Sequence, residues 1–104
     1  MPRINHYVLS DIAEVDISDI YDYTLEAHGD RQAAAYLTGL DESFRSIVEQ
    51  PRLGKRRPEI RNGLYSVLYE KHTIFYRLQD DFVRIVRVLH SRRDMPRHFE
   101  GNAL

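Results

Sequence analysis

The chain is predicted to fold as one α+β domain: an N-terminal strand, an antiparallel helical hairpin, then a three-stranded antiparallel meander. Three observations predict it. Residues 3–9 alternate in polarity, residues 11–50 carry two apolar stripes at helical spacing separated by His28-Gly29-Asp30, and residues 64–89 hold three strand-like runs split by short polar turns. This β-α-α-β-β-β order places helices against one face of a sheet.

In the first run, Arg3 to Leu9, Ile4, His6 and Val8 lie on one side and Asn5, Tyr7 and Leu9 on the other, as in a strand. Ser10 or Asp11 then supplies an oxygen for the free amides of a helix start, and Asp11 with Glu14 resembles a capping box. The helix runs to about His28, with Ala13, Ile17, Ile20, Thr24 and Ala27 on the buried side and Glu14, Asp16, Asp19, Asp22 and Glu26 in other directions. Gly29 can take the left-handed geometry that stops it, and Asp30 can cap the next helix at once. That second helix, about 18 residues long and within the globular range, gathers Ala33, Leu37, Leu40, Phe44, Ile47 and Val48 on one stripe and ends before Pro51. Gln50 to Asn62 reads as a basic connector. Leu64–Tyr69, His72–Leu78 and Phe82–Leu89 follow as strands, although Glu70-Lys71 lacks the glycine or asparagine that a two-residue turn prefers.

Period-two alternation in the last strand sends Val83, Ile85 and Leu89 to one face, and Val86 and Val88 to the other with Arg84 and His90. Arg84 and Arg87 are expected on opposite faces. A hairpin on one side only would leave an apolar patch exposed, which implies a partner segment to cover it. Arg77, Arg84 and Arg87 lie inside apolar strands and need partners or a route to water; ion pairing with the acidic helices, for example with Asp16 or Asp19, is the plainer account, and contact with an acidic partner the sharper one.

With 104 residues the chain spans a single domain, residues 1–104, which buries roughly two thirds of its unfolded surface. Its 42% hydrophobic and 30% charged content is that of a globular protein. No apolar run reaches the roughly 20 residues of a membrane span, and the N-terminus lacks the basic and apolar regions of a secretory signal. The absence of cysteine excludes disulfides and thiolate catalysis and suits a reducing cytoplasm. A net charge of −1 conceals an asymmetry: residues 1–50 carry three basic residues against ten acids, a balance of −7, while the rest carries twelve against six, +6. A basic patch is expected where the C-terminal half meets solvent.

The chemical motifs are sparse. The arginines of the connector suit phosphate or carboxylate, or simply balance the acidic helix. His72, His90 and His98 are candidate acid or base groups for RNA cleavage, with Tyr65, Tyr69 or Tyr76 nearby; packed structural histidines are the commoner case. No histidine spacing fits a metal site, and no glycine-rich phosphate loop is present. Neither a metal nor another cofactor is expected. The tyrosines of the helices, Tyr21, Tyr23 and Tyr36, are expected at the core edge, and Met95 to Phe99 as a short C-terminal turn.

Read in order, Ala13 with Asp16-Ile17 and Ile20–Thr24, then Gly29, Ala33, Tyr36 and Leu40, Pro51-Arg52-Leu53-Gly54, Ile60-Arg61, Gly63-Leu64, His72 with Ile74–Arg77, and Ile85–His90 followed by Arg93 or Asp94 resemble the ParE branch of the RelE/ParE toxins. The resemblance covers nearly the whole chain. It implies a type II toxin–antitoxin toxin that inhibits DNA gyrase, blocks replication and is neutralised by a ParD-type antitoxin whose flexible segment wraps it. The implied action is by binding, without catalytic residues. The basic residues chosen for the target are Arg61, Arg84, Arg87, His90, Arg92 and Arg93; those chosen for the antitoxin are Ile20, Tyr21, Tyr36, Leu40, Phe75 and Val88. Many ParE relatives carry arginine directly after the Gly-Leu pair, where this chain has Tyr65. The alternatives are a RelE-like ribosome-dependent mRNA endoribonuclease, disfavoured because no tyrosine follows the last strand, and an inactive relic that only binds antitoxin.

Overall fold

Ser10 starts the first helix: its hydroxyl accepts a hydrogen bond from the Ala13 N–H at 3.0 Å, and acidic Asp11 and Glu14 stand in the first turn, where the helix dipole favours them. The computed structural model describes residues 3–92. Within them run β1 (His6–Leu9), α1 (Asp11–His28), α2 (Asp30–Glu49), β2 (Lys55–Arg56), β3 (Tyr65–Tyr69), β4 (His72–Gln79) and β5 (Phe82–His90). Gly29, at φ 91°, lets α2 begin directly after α1, and its N–H closes α1 on the Leu25 carbonyl. The expected α+β hairpin-on-sheet architecture is observed. Arg93, Asp94, His98 and the expected turn at Met95 to Phe99 lie outside the described residues.

The sheet order is β1-β5-β4-β3-β2. Strands β3, β4 and β5 form the expected antiparallel meander. Its two-residue turns place Glu70 and Asp80 at φ 53° and 44°, so each first central residue accepts the left-handed region without being glycine. Two features differ from the sequence reading. The first strand begins at His6 rather than Arg3 and lies parallel to β5, with Tyr7 and Leu9 packed on the core while His6 and Val8 are exposed. The connector also contributes β2, which pairs with Tyr65 and Ser66. A two-residue strand is too short to leave a periodic signal.

The core beneath the hairpin joins Ala13, Leu40, Phe44 and Ile47 of the helices to Ile74, Tyr76, Val83, Ile85 and Val88 of the sheet. Burying each large apolar side chain contributes about 1.5–3 kcal/mol. A second cluster, Leu64, Phe75, Val86 and Leu89, lies apart from the first. Val88 and Leu89 have therefore exchanged places relative to strict alternation. The cause is a bulge: Phe75 pairs with Arg87 but Tyr76 with Ile85, so Val86 is an extra residue and the phase of β5 shifts beyond it. The same shift pairs Arg84 with Arg77 and Arg87 with Phe75, two positions on one β4 face, instead of setting the arginines on opposite faces.

The second cluster is not the exposed patch the sequence implied. Its four members are 0–5% exposed. The connector helps to cover them: Ile60 packs against the cluster, and the Arg57 guanidinium stands 5.7 Å from the centre of the Phe75 ring. This covering comes from a segment with no periodicity of its own.

Strand β1 pairs only with Phe82–Ile85, and α1 takes over along the remainder of that edge. The Ser10 hydroxyl donates to the Val86 carbonyl at 2.8 Å, and Asp16 accepts from the Val88 N–H at 3.0 Å. Asp16 also receives Nε and Nη2 of Arg87, each at 2.8 Å. The pair is largely buried, with side chains 15% and 11% exposed. One carboxylate thus satisfies a strand amide and a buried cation together.

Candidate functional site

Where the ends of the hairpin overhang the β3–β4 turn and the end of β5, the fold leaves a cleft of about 960 Å³. Its helical wall presents Asp19, Ile20, Tyr23, Thr24, Ala35 and Tyr36; its strand wall presents Tyr69, Glu70, Lys71, His72, His90 and Arg92. The helical spacing of Ile20, Tyr23 and Thr24 turns them to one side of α1. On the other wall, register sets His72 directly opposite His90 on adjacent strands.

The aromatic groups of the cleft pack on one another. Tyr36 meets Tyr69 edge-on, with ring centres 5.1 Å apart, and meets His72 edge-on at 5.5 Å. The Tyr36 hydroxyl lies 2.5 Å from His72 Nδ1, and the His72 and His90 rings are 5.5 Å apart at 79°. The Arg92 N–H donates to His90 Nδ1 at 3.2 Å. Tyr23 stands at the rim, 71% exposed.

Burial, reinforced by Tyr69, pushes the Tyr36 hydroxyl up to about 12. Across the core, burial and the hydrogen bond donated to Asp41 push Tyr7 to about 12 as well. Both hydroxyls lose their protons more easily in the unfolded chain, so their contribution to stability is intact below pH 10 and lost as pH rises from 10 to 12. Denaturant titrations across this interval should show stability falling in the wild type and falling less steeply in Tyr7→Phe and Tyr36→Phe. Equal slopes in all three proteins would contradict the assignment.

The residues chosen from sequence separate into groups. Ile20, Tyr36, His90 and Arg92 converge on the cleft. Tyr21 is half-buried but does not line it. Leu40, Phe75 and Val88, expected at a partner surface, are 1%, 0% and 2% exposed, because the bulge and the connector close the sheet on both sides. Arg87 is held by Asp16, whose hydrogen bonds raise its pKa above the ordinary arginine value. The ion pairing read from the sequence is therefore its structural role. Arg84 is half-buried and paired in register with Arg77, and half-buried Arg61 lies in the connector. Arg93 lies outside the described residues. Sequence reasoning missed Tyr23, Ala35 and Lys71 as members of the cleft; only the meeting of the hairpin with the β3–β4 turn unites them.

Two motif positions are explained by packing. Tyr76 is fully buried; its hydroxyl donates to the Pro51 carbonyl at 2.8 Å and accepts the Gly54 N–H at 3.1 Å, so Pro51-Arg52-Leu53-Gly54 anchors the connector to the sheet. Tyr65, at the position of the expected arginine, stacks on Tyr76 with ring centres 5.3 Å apart and planes 14° apart. Among the described residues no group of three or more His, Cys, Asp or Glu could hold a metal, and no helix is long and apolar enough to cross a membrane.

A sequence model of the ParE toxin of type II toxin–antitoxin system, parDE, matches residues 7–95. The chain belongs to the ParE toxin family. Toxin ParE1 of Mycobacterium tuberculosis (strain ATCC 25618 / H37Rv) is 35% identical over 95 residues, 90% of this chain and 97% of the relative. Toxin ParE1 of Caulobacter vibrioides is 34% identical over 92 residues, 88% and 95% of the two chains. Among solved structures, a chain described as the chromosomal ParDE TA system from P. aeruginosa superposes with a TM-score of 0.73 at 18% identity, covering 85% of this chain and 96% of its own. A chain of the toxin–antitoxin complex RelBE2 from M. tuberculosis gives 0.56 at 21%, covering 86% and 99%. At these identities the structural likeness is one of fold. The ParE match includes both walls of the cleft and the Asp16–Arg87 pair.

Proposed function

We propose that this ParE-family toxin inhibits DNA gyrase in the cytoplasm by binding, without catalysing a reaction, and is neutralised by a ParD-type antitoxin. The family match over residues 7–95 carries the reading. The charge distribution supports it: acidic residues concentrate on the hairpin and cations on the C-terminal half. His90 and Arg92 are the described target contacts, joined by Arg93, with Arg61 and Arg84 contributing positive field; Ile20 and Tyr36 are the antitoxin contacts. Arg87 acts through the fold, because Asp16 holds it.

The purified protein should block supercoiling or accumulate cleaved DNA in a gyrase assay, while leaving message intact in a programmed-ribosome assay run beside it. Arg92→Glu with Arg93→Glu should weaken gyrase inhibition at least about tenfold, roughly 1.4 kcal/mol, with the thermal transition unchanged. Cut message with unaffected gyrase would replace this reading with ribosome-dependent cleavage. Effect on neither would leave an antitoxin-binding relic.

A further inference from the structure

We infer that His72 and His90 form a two-histidine chelate for a divalent transition-metal ion of the copper, nickel and zinc class. The two residues are far apart in the chain, and the pairing of β4 with β5 sets them face to face. One step outside them the Ser91 N–H donates to the Lys71 carbonyl at 2.9 Å, so the histidines occupy a non-hydrogen-bonded position of the antiparallel ladder. Side chains approach most closely at such positions. The ring centres stand 5.5 Å apart. Metal–nitrogen bonds of about 2.0–2.1 Å at a tetrahedral angle set the centres of two chelating imidazoles roughly 5 Å apart. A rotation of the rings, without movement of the backbone, therefore admits the ion.

The neighbouring groups prepare the lone pairs. The Tyr36 hydroxyl donates to the Tyr69 carbonyl at 3.5 Å, and its oxygen lies 2.5 Å from His72 Nδ1. With the phenolic proton turned to that carbonyl, the Nδ1–H of His72 donates to the phenol and the ring's lone pair is left on Nε2. An oxygen held on the far nitrogen is how a ligating histidine is oriented. His90 keeps its lone pair on Nδ1, where it accepts the Arg92 N–H at 3.2 Å, and this long, exposed contact is exchanged for the ion. Asp19 and Glu70 line the same cleft and offset the charges of Lys71 and Arg92. Both rings are half-buried, so water reaches the remaining coordination positions and no third protein ligand is needed. Imidazole donors select copper, nickel and zinc over magnesium and calcium.

Calorimetric titration of the full chain with copper, nickel, zinc and magnesium chlorides, one salt at a time, tests the chelate. It uses neither gyrase nor antitoxin, so its outcome is independent of the toxin reading. The wild type is expected to bind a single copper, nickel or zinc ion, copper most tightly, and to give no heat with magnesium. Saturating zinc should raise the thermal transition by at least about 5 °C. The electron paramagnetic resonance spectrum of the copper-loaded protein should show coupling to two imidazole nitrogens. His72→Gln and His90→Gln should each weaken binding at least about tenfold, while exposed His28→Gln and His6→Gln stay within about twofold. Absence of binding to the wild type would overturn the inference. So would binding that survives either His72→Gln or His90→Gln, or that is lost in His28→Gln, because the ion would then be held elsewhere. Should His72→Gln fail to fold, His90→Gln and the nitrogen coupling of the wild type decide the matter.

Discussion

Asp16→Ala should lower the stability of this protein by about 3–5 kcal/mol, the range for removing one partner of a buried ion pair. Total stabilities of small domains are about 5–15 kcal/mol, so the variant should be close to unfolding at growth temperature. Two losses combine. The guanidinium of Arg87, 15% exposed, keeps its charge without its bidentate partner, and the Val88 N–H loses the acceptor that stands in for a neighbouring strand. Arg87→Ala should cost somewhat less, because the carboxylate it leaves behind still receives the Val88 N–H. Replacing the pair together, Asp16→Leu with Arg87→Met, should recover much of the loss, since two desolvated charges are removed at once, although the Val88 N–H stays without its acceptor. Urea denaturation of the four proteins checks this. A loss below about 1 kcal/mol for Asp16→Ala would mean that the pair behaves as an exposed surface bridge.

Gly54→Ala should destabilise by about 2–3 kcal/mol, at the upper end of overpacking costs. A Cβ at this position would lie 2.3 Å from the Tyr76 hydroxyl oxygen and 2.9 Å from the ring carbon that bears it. Tyr76 cannot yield as an exposed side chain would: its ring is fully buried and its hydroxyl is held between Pro51 and Gly54. Tyr76→Phe alone should cost about 1–2 kcal/mol by leaving the Pro51 carbonyl and Gly54 N–H without their partner. In the double variant the closest clash is gone, so the combined loss should fall short of the sum by at least about 0.5 kcal/mol. Additive losses would show that the connector shifts freely away from the sheet. At Gly39 the nearest atom is again a tyrosine hydroxyl, 1.7 Å from the added Cβ, but that Tyr69 is only half-buried and can swing toward the cleft. Gly39→Ala should therefore cost less than Gly54→Ala, even though its initial contact is shorter.

Several parts of the fold were open to reading from local pattern. The hairpin followed from two stripes of helical period broken at Gly29, whose positive φ permits the immediate restart. The meander followed from three apolar runs with polar turns, even though neither turn contains glycine; Glu70 and Asp80 take the left-handed conformation because the flanking ladders hold it. Even the Asp16–Arg87 pair was foreseeable, since a charge within an apolar strand needs an opposite charge and the adjoining helix is acidic.

The faces of β5 were not foreseeable. Counting by twos holds only while every residue has one partner, and the extra Val86 breaks the count, sending Val88 beneath the hairpin and Leu89 to the opposite cluster. The surface expected at Phe75 and Val88 disappeared for that reason and because Ile60 and Arg57 of the connector close the far side.

What the sequence determined by itself was the first strand, the helical hairpin with its amphipathic stripes, the three strands of the meander, the charge asymmetry and the resemblance to ParE, all of which depend on short-range spacing or on ordered motifs. Tertiary structure alone decided which residues meet. Tyr23 on α1, Ala35 on α2, Lys71 in a turn and Arg92 beyond β5 share one cleft because the parallel docking of β1 on β5 and the closure of the hairpin over the sheet bring distant segments together. Such encounters depend on register and packing among the whole set of elements, and no local period in a chain of 104 residues encodes them.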